Sequence, residues 1–382
     1  MELDLSYPAL SDLRARCRRR IPHFAWEYLD SGTGAETARA LNRTALDAVR
    51  LRPAVLRGRP EPDLATAILG FDCALPVGIA PIGMSGLIWP GAEAALARLG
   101  AAERLPYCLS TVATREPEEI GPLAGDIGWF QLYPPRDETI RRDMLARARR
   151  AGFRGVILTA DVPGTSRRER QRRADLAIPP KTTLRMLAQV AARPAWALGT
   201  LRHGTPRLRL MEGYHKAQSN TASTEHVGYL LRTAPDWDYL SALRDEWQGP
   251  LILKGVMEPE VATRAAATGV DAIWVSNHAG RQFDAAPAAL DALPAIRAAL
   301  GPDFPLIFDG GVETGLDVLR GLALGAAFVM LGRAWHYALG SLGARGPSHL
   351  LHILREDMVA NMVQMGIGRP ADAAGQRICS EL

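Results

Sequence analysis

One stretch carries the strongest chemical signal in the chain: Ser276-Asn277-His278-Ala279-Gly280-Arg281-Gln282-Phe283-Asp284, directly after the apolar run Ala272-Ile273-Trp274-Val275. A neutral imidazole can take a proton at neutral pH. A guanidinium three residues later can grip a carboxylate with two parallel hydrogen bonds. A base beside a carboxylate anchor, at the end of a buried strand, predicts chemistry on a small organic acid.

Other chemically capable residues follow other apolar runs. They are Ala80-Pro81-Ile82-Gly83, Ser110-Thr111, Gln131-Leu132-Tyr133, Thr159-Ala160-Asp161 with Arg168 beyond, Lys254-Gly255, Asp309-Gly310-Gly311 and Gly332-Arg333. Each alone has a structural reading. Asp161 could cap a helix, Lys254 could face solvent, and Gly310-Gly311 could be a tight turn. Brought to one rim, they form a site. The glycine turns offer backbone N–H groups to a phosphate, and Arg333 adds charge. Ser110, Gln131 and Thr159 supply donors and acceptors for a planar heterocycle. Lys254 could stabilise negative charge on such a ring as it gains electrons. Asp161 can orient His278 and stabilise its imidazolium. Arg168, Arg281 and a tyrosine hydroxyl can hold a carboxylate. A phosphate, a redox heterocycle and a carboxylate substrate together point to a flavin mononucleotide (FMN) enzyme. No metal site is expected.

The elements that must deliver these residues are legible as eight short apolar runs: Leu75–Ala80, Tyr107–Val112, Gly128–Tyr133, Gly155–Thr159, Leu251–Lys254, Ala272–Ser276, Pro305–Phe308 and Ala327–Leu331. None alternates strictly, as expected for parallel strands covered on both faces. Amphipathic segments fill most gaps, including Ala92–Glu103, Asp137–Ala151, Pro259–Thr268, Ala288–Leu300 and Gly315–Leu324. Eight strand–helix units predict an α/β fold, a (β/α)8 TIM barrel, with active residues at the C-terminal strand ends. A doubly wound open sheet is the alternative, but no GxGxxG follows the first run. Residues 1–74 precede the rhythm as a helical extension, with a helix starting at Pro22–Leu29. Residues 75–382 form the FMN-binding barrel, with a long insertion at 162–249 after strand four. Its middle, Thr183–Leu201, is apolar and basic, carries Trp196 and is broken at Pro194. It reads as an active-site lid, a membrane-surface segment, or both.

The chain has 382 residues, 47 % of them apolar and 23 % charged, with a formal net charge of +4. No run offers the roughly 18–20 uncharged apolar residues that span a bilayer. No basic–apolar–small cleavage pattern opens the chain, so a cytoplasmic location is expected. Cys17, Cys73, Cys108 and Cys379 are scattered and form no CxxC pair, which fits a reducing compartment. Between Val162 and His226 there are 12 Lys/Arg against 4 Asp/Glu, a local net of +8. Such a cluster favours anionic surfaces. Peripheral contact of 162–226 with the inner face of the cytoplasmic membrane is the expectation, without nucleic acid as a partner. A solvated loop with a few functional arginines is the alternative.

These motifs resemble the FMN-dependent L-2-hydroxy acid dehydrogenase and oxidase family, which includes L-lactate dehydrogenases, glycolate oxidases and mandelate dehydrogenases. The resemblance runs from Pro22 to about Gly366. Besides Ser276–Asp284 it rests on Asp309-Gly310-Gly311, Leu331-Gly332-Arg333, Phe130–Tyr133, Leu253-Lys254-Gly255 and Ala80-Pro81. It implies that His278 is the base that starts oxidation at the α-carbon and Asp161 its partner. Arg168 and Arg281 would bind the substrate carboxylate. Tyr28, in Trp26-Glu27-Tyr28-Leu29-Asp30-Ser31-Gly32, matches a substrate-binding tyrosine, and Tyr133 would sit near the substrate hydroxyl. Lys254 would face the N1 and O2 edge of the flavin. Ser110, Gln131, Thr159 and Ser276 would contact its ring or ribityl chain. Asp309, Gly311, Gly332 and Arg333 would hold ribityl and phosphate, with Ala80, Pro81 and Ile82 also lining the cofactor.

Some positions depart from the pattern. Glu313 stands where relatives usually carry an arginine near the phosphate, and it should weaken FMN binding unless it points away. Ala279 replaces a usual glycine. Gly83 occupies a position beside the flavin that is often alanine in the oxidases, which leaves more room. Val112 and Thr165 fall where some oxidases carry bulkier pocket residues.

The expected reaction is oxidation of an L-2-hydroxy acid to the 2-oxo acid with reduction of FMN. L-lactate is the first substrate and a mandelate-like acid the second. Electrons would pass to a quinone or another acceptor. The alternatives are an oxygen-reducing oxidase that makes peroxide, another FMN barrel such as a type 2 isopentenyl diphosphate isomerase, and a non-catalytic flavin or membrane-binding protein. The resemblance also implies a homo-oligomer, with a tetramer as its common form.

Overall fold

The apolar runs become the walls of a closed barrel in the computed structural model, which describes residues 3–56, 58–176, 183–218 and 233–377. A short antiparallel hairpin, β1 (Thr66–Ile68) and β2 (Phe71–Cys73), comes first. Eight parallel strands follow: β3 (Val77–Ile79), β4 (Tyr107–Ser110), β5 (Gly128–Leu132), β6 (Gly155–Thr159), β7 (Leu251–Val256), β8 (Ala272–Val275), β9 (Leu306–Phe308) and β10 (Phe328–Leu331). Each pairs with its neighbours in sequence, and β10 pairs back onto β3 to close the ring.

The period-2 geometry of strands explains how the site is built. Trp129, Ile157, Ile252, Trp274, Ile307, Phe328 and Met330 point inward and fill the barrel as one apolar cluster. Two residues further along, the same inward face becomes Gln131, Thr159, Lys254, Ser276, Asp309 and Gly332. An apolar floor therefore carries a polar layer directly above it. Register keeps that layer level, with Ser110 opposite Gln131 and Thr159 opposite Lys254. The hairpin plugs the other end, where Ile68 and Cys73 join the cluster and the Phe71 ring lies 6.1 Å from Trp129. The sequence predicts helices throughout residues 1–74. Strands of three residues give no period to read, and their role is set by the barrel end they cover.

Helices Ala92–Glu103, Glu138–Arg150, Pro259–Ala267, Ala289–Leu300 and Gly315–Ala323 stand in the expected gaps. The N-terminal segment forms helices Leu10–Arg20, His23–Asp30 and Thr37–Ala48. The first packs so tightly on Arg333–Leu342 that a Cβ on Gly340 would meet Cys17 Sγ. The third is tied to the end of β8 by a reciprocal amide pair, Asn42 to Asn277, at 2.9 Å in each direction.

The segment after β6 holds helices Glu169–Arg173, Leu184–Ala191, Pro194–His203 and Arg209–Gln218. Pro194 begins a helix there, since its fixed φ and missing N–H suit a first turn. Helix Trp237–Glu246 also falls within 162–249, yet it occupies a barrel position. Arg141 on one side bonds Glu246 at 2.8 Å, and Arg264 on the other lies 4.1 Å over the Trp237 ring. The added segment therefore ends before Asp236. Residues 177–182 and 219–232 lie outside the described residues, as does Cys379.

Candidate active site

The end of β8 turns sharply, and two residues there adopt left-handed backbone angles, His278 (φ 54°) and Ala279 (φ 53°). Non-glycine residues pay for that conformation, and such strain concentrates where a side chain must be aimed. The turn directs the imidazole across the mouth. His278 Nδ1 lies 2.9 Å from Asp161 Oδ1, and the His278 N–H donates to Ser276 Oγ at 3.1 Å. Asp161 reaches this place because residue 255 is glycine. Gly255 has φ +98° beside an irregularity in β7, and a Cβ there would sit 2.4 Å from Asp161 Cβ. Asp161 Oδ2 is buried and has no hydrogen-bond partner among the described residues.

Burial pushes the His278 imidazole below its usual range, against the pull of Asp161 and with help from Lys254 and Arg168. Burial alone would raise the Asp161 carboxyl, but His278 and Lys254 outweigh it and hold it below the usual range. At neutral pH this is an unprotonated imidazole beside a carboxylate, the state a general base needs.

The polar layer is connected. Lys254 Nζ donates to Ser276 Oγ at 2.7 Å and sits 3.0 Å from Asp309 Oδ2, while Ser276 Oγ donates to Asp309 Oδ1 at 2.5 Å. Ser110 Oγ donates to Gln131 Oε1 at 2.8 Å, and Gln131 Nε2 donates to Thr159 Oγ1 at 2.9 Å. These bonds fix the amide orientation, leaving a planar group for a ligand.

The arginines divide into two sets. Arg14, Arg39, Arg43 and Arg170 are ion-paired with carboxylates. Arg168, Arg281 and Arg333 have no carboxylate partner among the described residues. Arg281 is anchored from behind, where Nη1 donates to the carbonyls of Tyr28 (2.9 Å), Leu29 (3.3 Å) and Ser31 (3.2 Å). Burial and the nearby Arg168 push its guanidinium down to about 9, so it stays cationic at neutral pH. Arg168, in a left-handed conformation, donates Nε to Ser166 Oγ at 3.0 Å. Tyr28 donates to the Gly83 carbonyl at 3.0 Å and lies under Arg281, 5.5 Å from its guanidinium. Half-buried cations without anions cost energy that an incoming carboxylate would recover.

A cavity of about 1430 Å³ joins these groups, larger than the roughly 300–1,000 Å³ of ordinary small-molecule sites. Tyr28, Ala80, Pro81, Ile82, Gln131, Tyr133, Thr159, Arg168, Lys254, His278, Arg281, Asp309, Gly311, Gly332 and Arg333 all line it, with Val112 and Thr165. Ser110, Asp161 and Ser276 stand one layer behind. Their side chains bond Gln131, His278, and Lys254 with Asp309, respectively, and do not face the cavity. The room expected at Gly83 is already taken, since a Cβ there would come within 2.5 Å of Val112 Cγ2. Sequence reasoning missed Arg14, Arg39, Arg43 and Tyr337, which line the far end of the cavity. Arg39 and Arg43, one turn apart on Thr37–Ala48, were the only available signal.

These residues fit FMN. Gly311 has φ +80° and a Cβ there would meet Asn42 at 3.2 Å, so the turn that lines the cavity at Gly310 and Gly311 presents bare backbone to it. Arg333 is half-buried beside them and spends Nη2 on the Ala279 carbonyl at 2.7 Å. Its guanidinium is pushed below its ordinary value, chiefly by burial, as expected of a cation awaiting an anion. Among the described residues, no group of His, Cys, Asp and Glu could hold a metal ion.

Comparison with known proteins agrees with this geometry. A family model described as FMN-dependent dehydrogenase matches residues 17–380. An L-lactate dehydrogenase of Caulobacter vibrioides (strain NA1000 / CB15N) is 38 % identical over 362 residues, covering 94 % of each chain. One from Pseudomonas syringae pv. syringae (strain B728a) is 36 % identical over 360 residues, again covering 94 % of each. Among solved structures, a monotopic membrane protein, (S)-mandelate dehydrogenase, aligns with a TM-score of 0.90 at 30 % identity, covering 98 % of this chain and 99 % of that one. A mandelate oxidase aligns with a TM-score of 0.82 at 31 % identity, covering 97 % and 98 %.

Proposed function

The chain belongs to the FMN-dependent dehydrogenase family and oxidises a 2-hydroxy acid with FMN as its cofactor, and from that premise we propose that its substrate is a small L-2-hydroxy acid, L-lactate first. The observation that carries this reading is the pairing of His278 and Asp161 beside two half-buried guanidiniums, Arg168 and Arg281, that have no carboxylate partner among the described residues. A base and a carboxylate clamp share one mouth. The L-lactate dehydrogenases among its relatives support lactate. A mandelate-like acid is second, supported by the structural neighbours and by Val112 and Thr165 in the wall.

Bound FMN would supply the two-electron acceptor. Gly311, Gly332 and Arg333 would hold its phosphate, with Asp309 beside the ribityl chain. Gln131, Thr159 and Lys254 would meet the polar edge of the ring, and Ala80, Pro81 and Ile82 its face. Ser110 and Ser276 would act from behind by fixing Gln131 and Lys254. Arg281, Arg168 and Tyr28 would bind the substrate carboxylate, with Tyr133 near its hydroxyl. Oxidation to the 2-oxo acid removes two electrons and two protons. His278 takes one proton, from the α-carbon or from the hydroxyl, and Asp161 stabilises the imidazolium that results. A solvent-isotope effect combined with an α-deuterium effect separates the two routes.

The acceptor we favour is a quinone. The added segment exposes Leu184, Leu187, Leu198 and Leu201 beside Arg185, Arg193 and Arg202, the composition of a helix surface that lies on an anionic bilayer. Its likeness to a monotopic membrane enzyme supports the same reading. Trp196 plays another part. It is 4 % exposed, stacks edge-on against Phe24 and donates to the Leu87 carbonyl, so it pins the segment to the barrel. No described helix is long and apolar enough to cross a membrane. A homo-oligomer, in the form of a tetramer, is part of this proposal.

Steady-state assays across a panel of 2-hydroxy acids, with a quinone analogue and with oxygen as acceptors, test the reading. L-lactate should give the highest kcat/KM, with quinone reduced and little peroxide formed. Stoichiometric peroxide would identify an oxidase instead. Sedimentation with anionic vesicles tests attachment, and unchanged binding after deletion of 183–215 would reject it.

A further inference from the structure

The end of the cavity that would take the phosphate poses a charge problem. The turn after β9 places Glu313 in the wall with Gly310, Gly311 and Arg333, where a phosphate would lie. A carboxylate there opposes a phosphate dianion. Glu313 is within electrostatic reach of both Arg333 and Arg14.

Helix Thr37–Ala48 brings two guanidiniums to the same wall. Arg43 Nη1 donates to the Gly311 carbonyl at 3.1 Å and to the fully buried Asp317 at 2.6 Å. Its remaining donors bond Asp47 and Asp317, so it braces the glycine turn from behind. Arg39 stands one turn earlier. Its backbone packs against Gly280, where a Cβ would come within 2.6 Å of Arg39 N, and the neighbouring Ala279 carbonyl accepts from Arg333. Arg39 uses Nη1 and Nη2 on Asp30 and Glu36, and its Nε has no partner among the described residues. It faces the cavity close enough to Arg333 to repel it. Asp30 and Glu36 hold the Arg39 guanidinium in place at this wall, and Arg333 has no carboxylate partner among the described residues, so an anion reaching both would relieve their repulsion.

We propose that Arg39, from the N-terminal extension, supplies the second cation of the FMN phosphate site, offsetting Glu313 on the β9 turn. This rests on FMN as the cofactor and concerns how the chain retains it.

Apoprotein titrated with FMN and with riboflavin, which lacks the phosphate, gives a ratio of affinities by flavin fluorescence quenching. Arg39→Gln should lower the FMN:riboflavin ratio at least tenfold, with riboflavin affinity unchanged, and should flatten the salt dependence of FMN binding. Glu313→Gln should raise the ratio severalfold, and Glu313→Arg should raise it further. Equal loss of both flavins in Arg39→Gln would mean a structural role and overturn the proposal. So would an unchanged ratio in both Glu313 variants, a result readable even if Arg39→Gln does not fold. Wild-type protein that takes up neither flavin would instead overturn the cofactor assignment, and this inference with it.

Discussion

His278 is the residue on which turnover should depend. Positioned general bases contribute about 10²–10⁴-fold, so His278→Ala should lose that much kcat while keeping its flavin absorbance. Its neutral form is the active one, and burial lowers its proton affinity. Activity should therefore fall as pH drops through a value below the ordinary histidine pKa of about 6.5. The acid limb of kcat/KM checks this, and a limb centred above about 7 would contradict it. Ala279 tests the strained turn. With φ 53° it carries a Cβ where glycine is at ease, so Ala279→Gly should stabilise by a few tenths to about 1 kcal/mol in urea unfolding, once the added freedom of the unfolded chain is deducted. Most of the site was legible because its polar layer, from Gln131 to Gly332, stands at the ends of apolar runs. Ser110, Asp161 and Ser276 were expected in or near the site, but their place behind the lining depends on the partners they bond, which spacing does not encode.

At the scale of elements, helix His23–Asp30 is the keystone of the rim. Asp30 is 3 % exposed and meets Arg14 (2.7 Å), Arg39 (3.2 Å), Arg170 (3.1 Å) and the Tyr337 hydroxyl (2.7 Å). Burial would raise its carboxyl, but Arg39 and Arg14 outweigh that and drive it far below the usual carboxylate range. Arg170 also reaches Glu27 and Glu36, which links the helix carrying Tyr28 to the segment carrying Arg168. Without the Asp30 charge Arg14 loses its carboxylate, while Arg39 keeps Glu36 and Arg170 keeps Glu27 and Glu36; removing one partner of a buried ion pair costs about 3–5 kcal/mol. Asp30→Asn should lose that much stability in denaturant and raise KM for the hydroxy acid more than it lowers kcat. Full stability would remove this network as the brace. Sign follows from the lowered value: the stabilisation is present above the unfolded carboxylate pKa of about 3.9 and fades as pH falls towards the native one. The eight strands were readable because burial on both faces demands continuous apolar runs. The Asp30 network was not, because its partners lie as far apart in sequence as Arg14 and Tyr337.

At the scale of the whole molecule, the barrel mouth and the exposed leucines lie on connected parts of one surface, since Thr183 and Arg185 already line the cavity. That placement suits an enzyme that takes a soluble acid and delivers electrons to a lipid-borne acceptor. Fully burying a leucine is worth about 1.5–3 kcal/mol. Replacing Leu184, Leu187, Leu198 and Leu201 with serine should therefore lower partitioning onto anionic vesicles more than tenfold, with dye-linked activity preserved. Unchanged sedimentation would place the contact elsewhere. The basic, apolar character of this segment was visible in the sequence, but the inward turn of Trp196 was not, because a tryptophan suits a bilayer edge and a protein core equally. The experiment that bears hardest on the site itself is anaerobic: mix purified holoprotein and its His278→Ala variant with L-lactate and follow flavin absorbance. The native protein should bleach rapidly while the variant, equally yellow, stays oxidised. Bleaching of the variant at the native rate, or no bleaching of the native protein by any 2-hydroxy acid, would contradict the assignment of this rim as the catalytic centre.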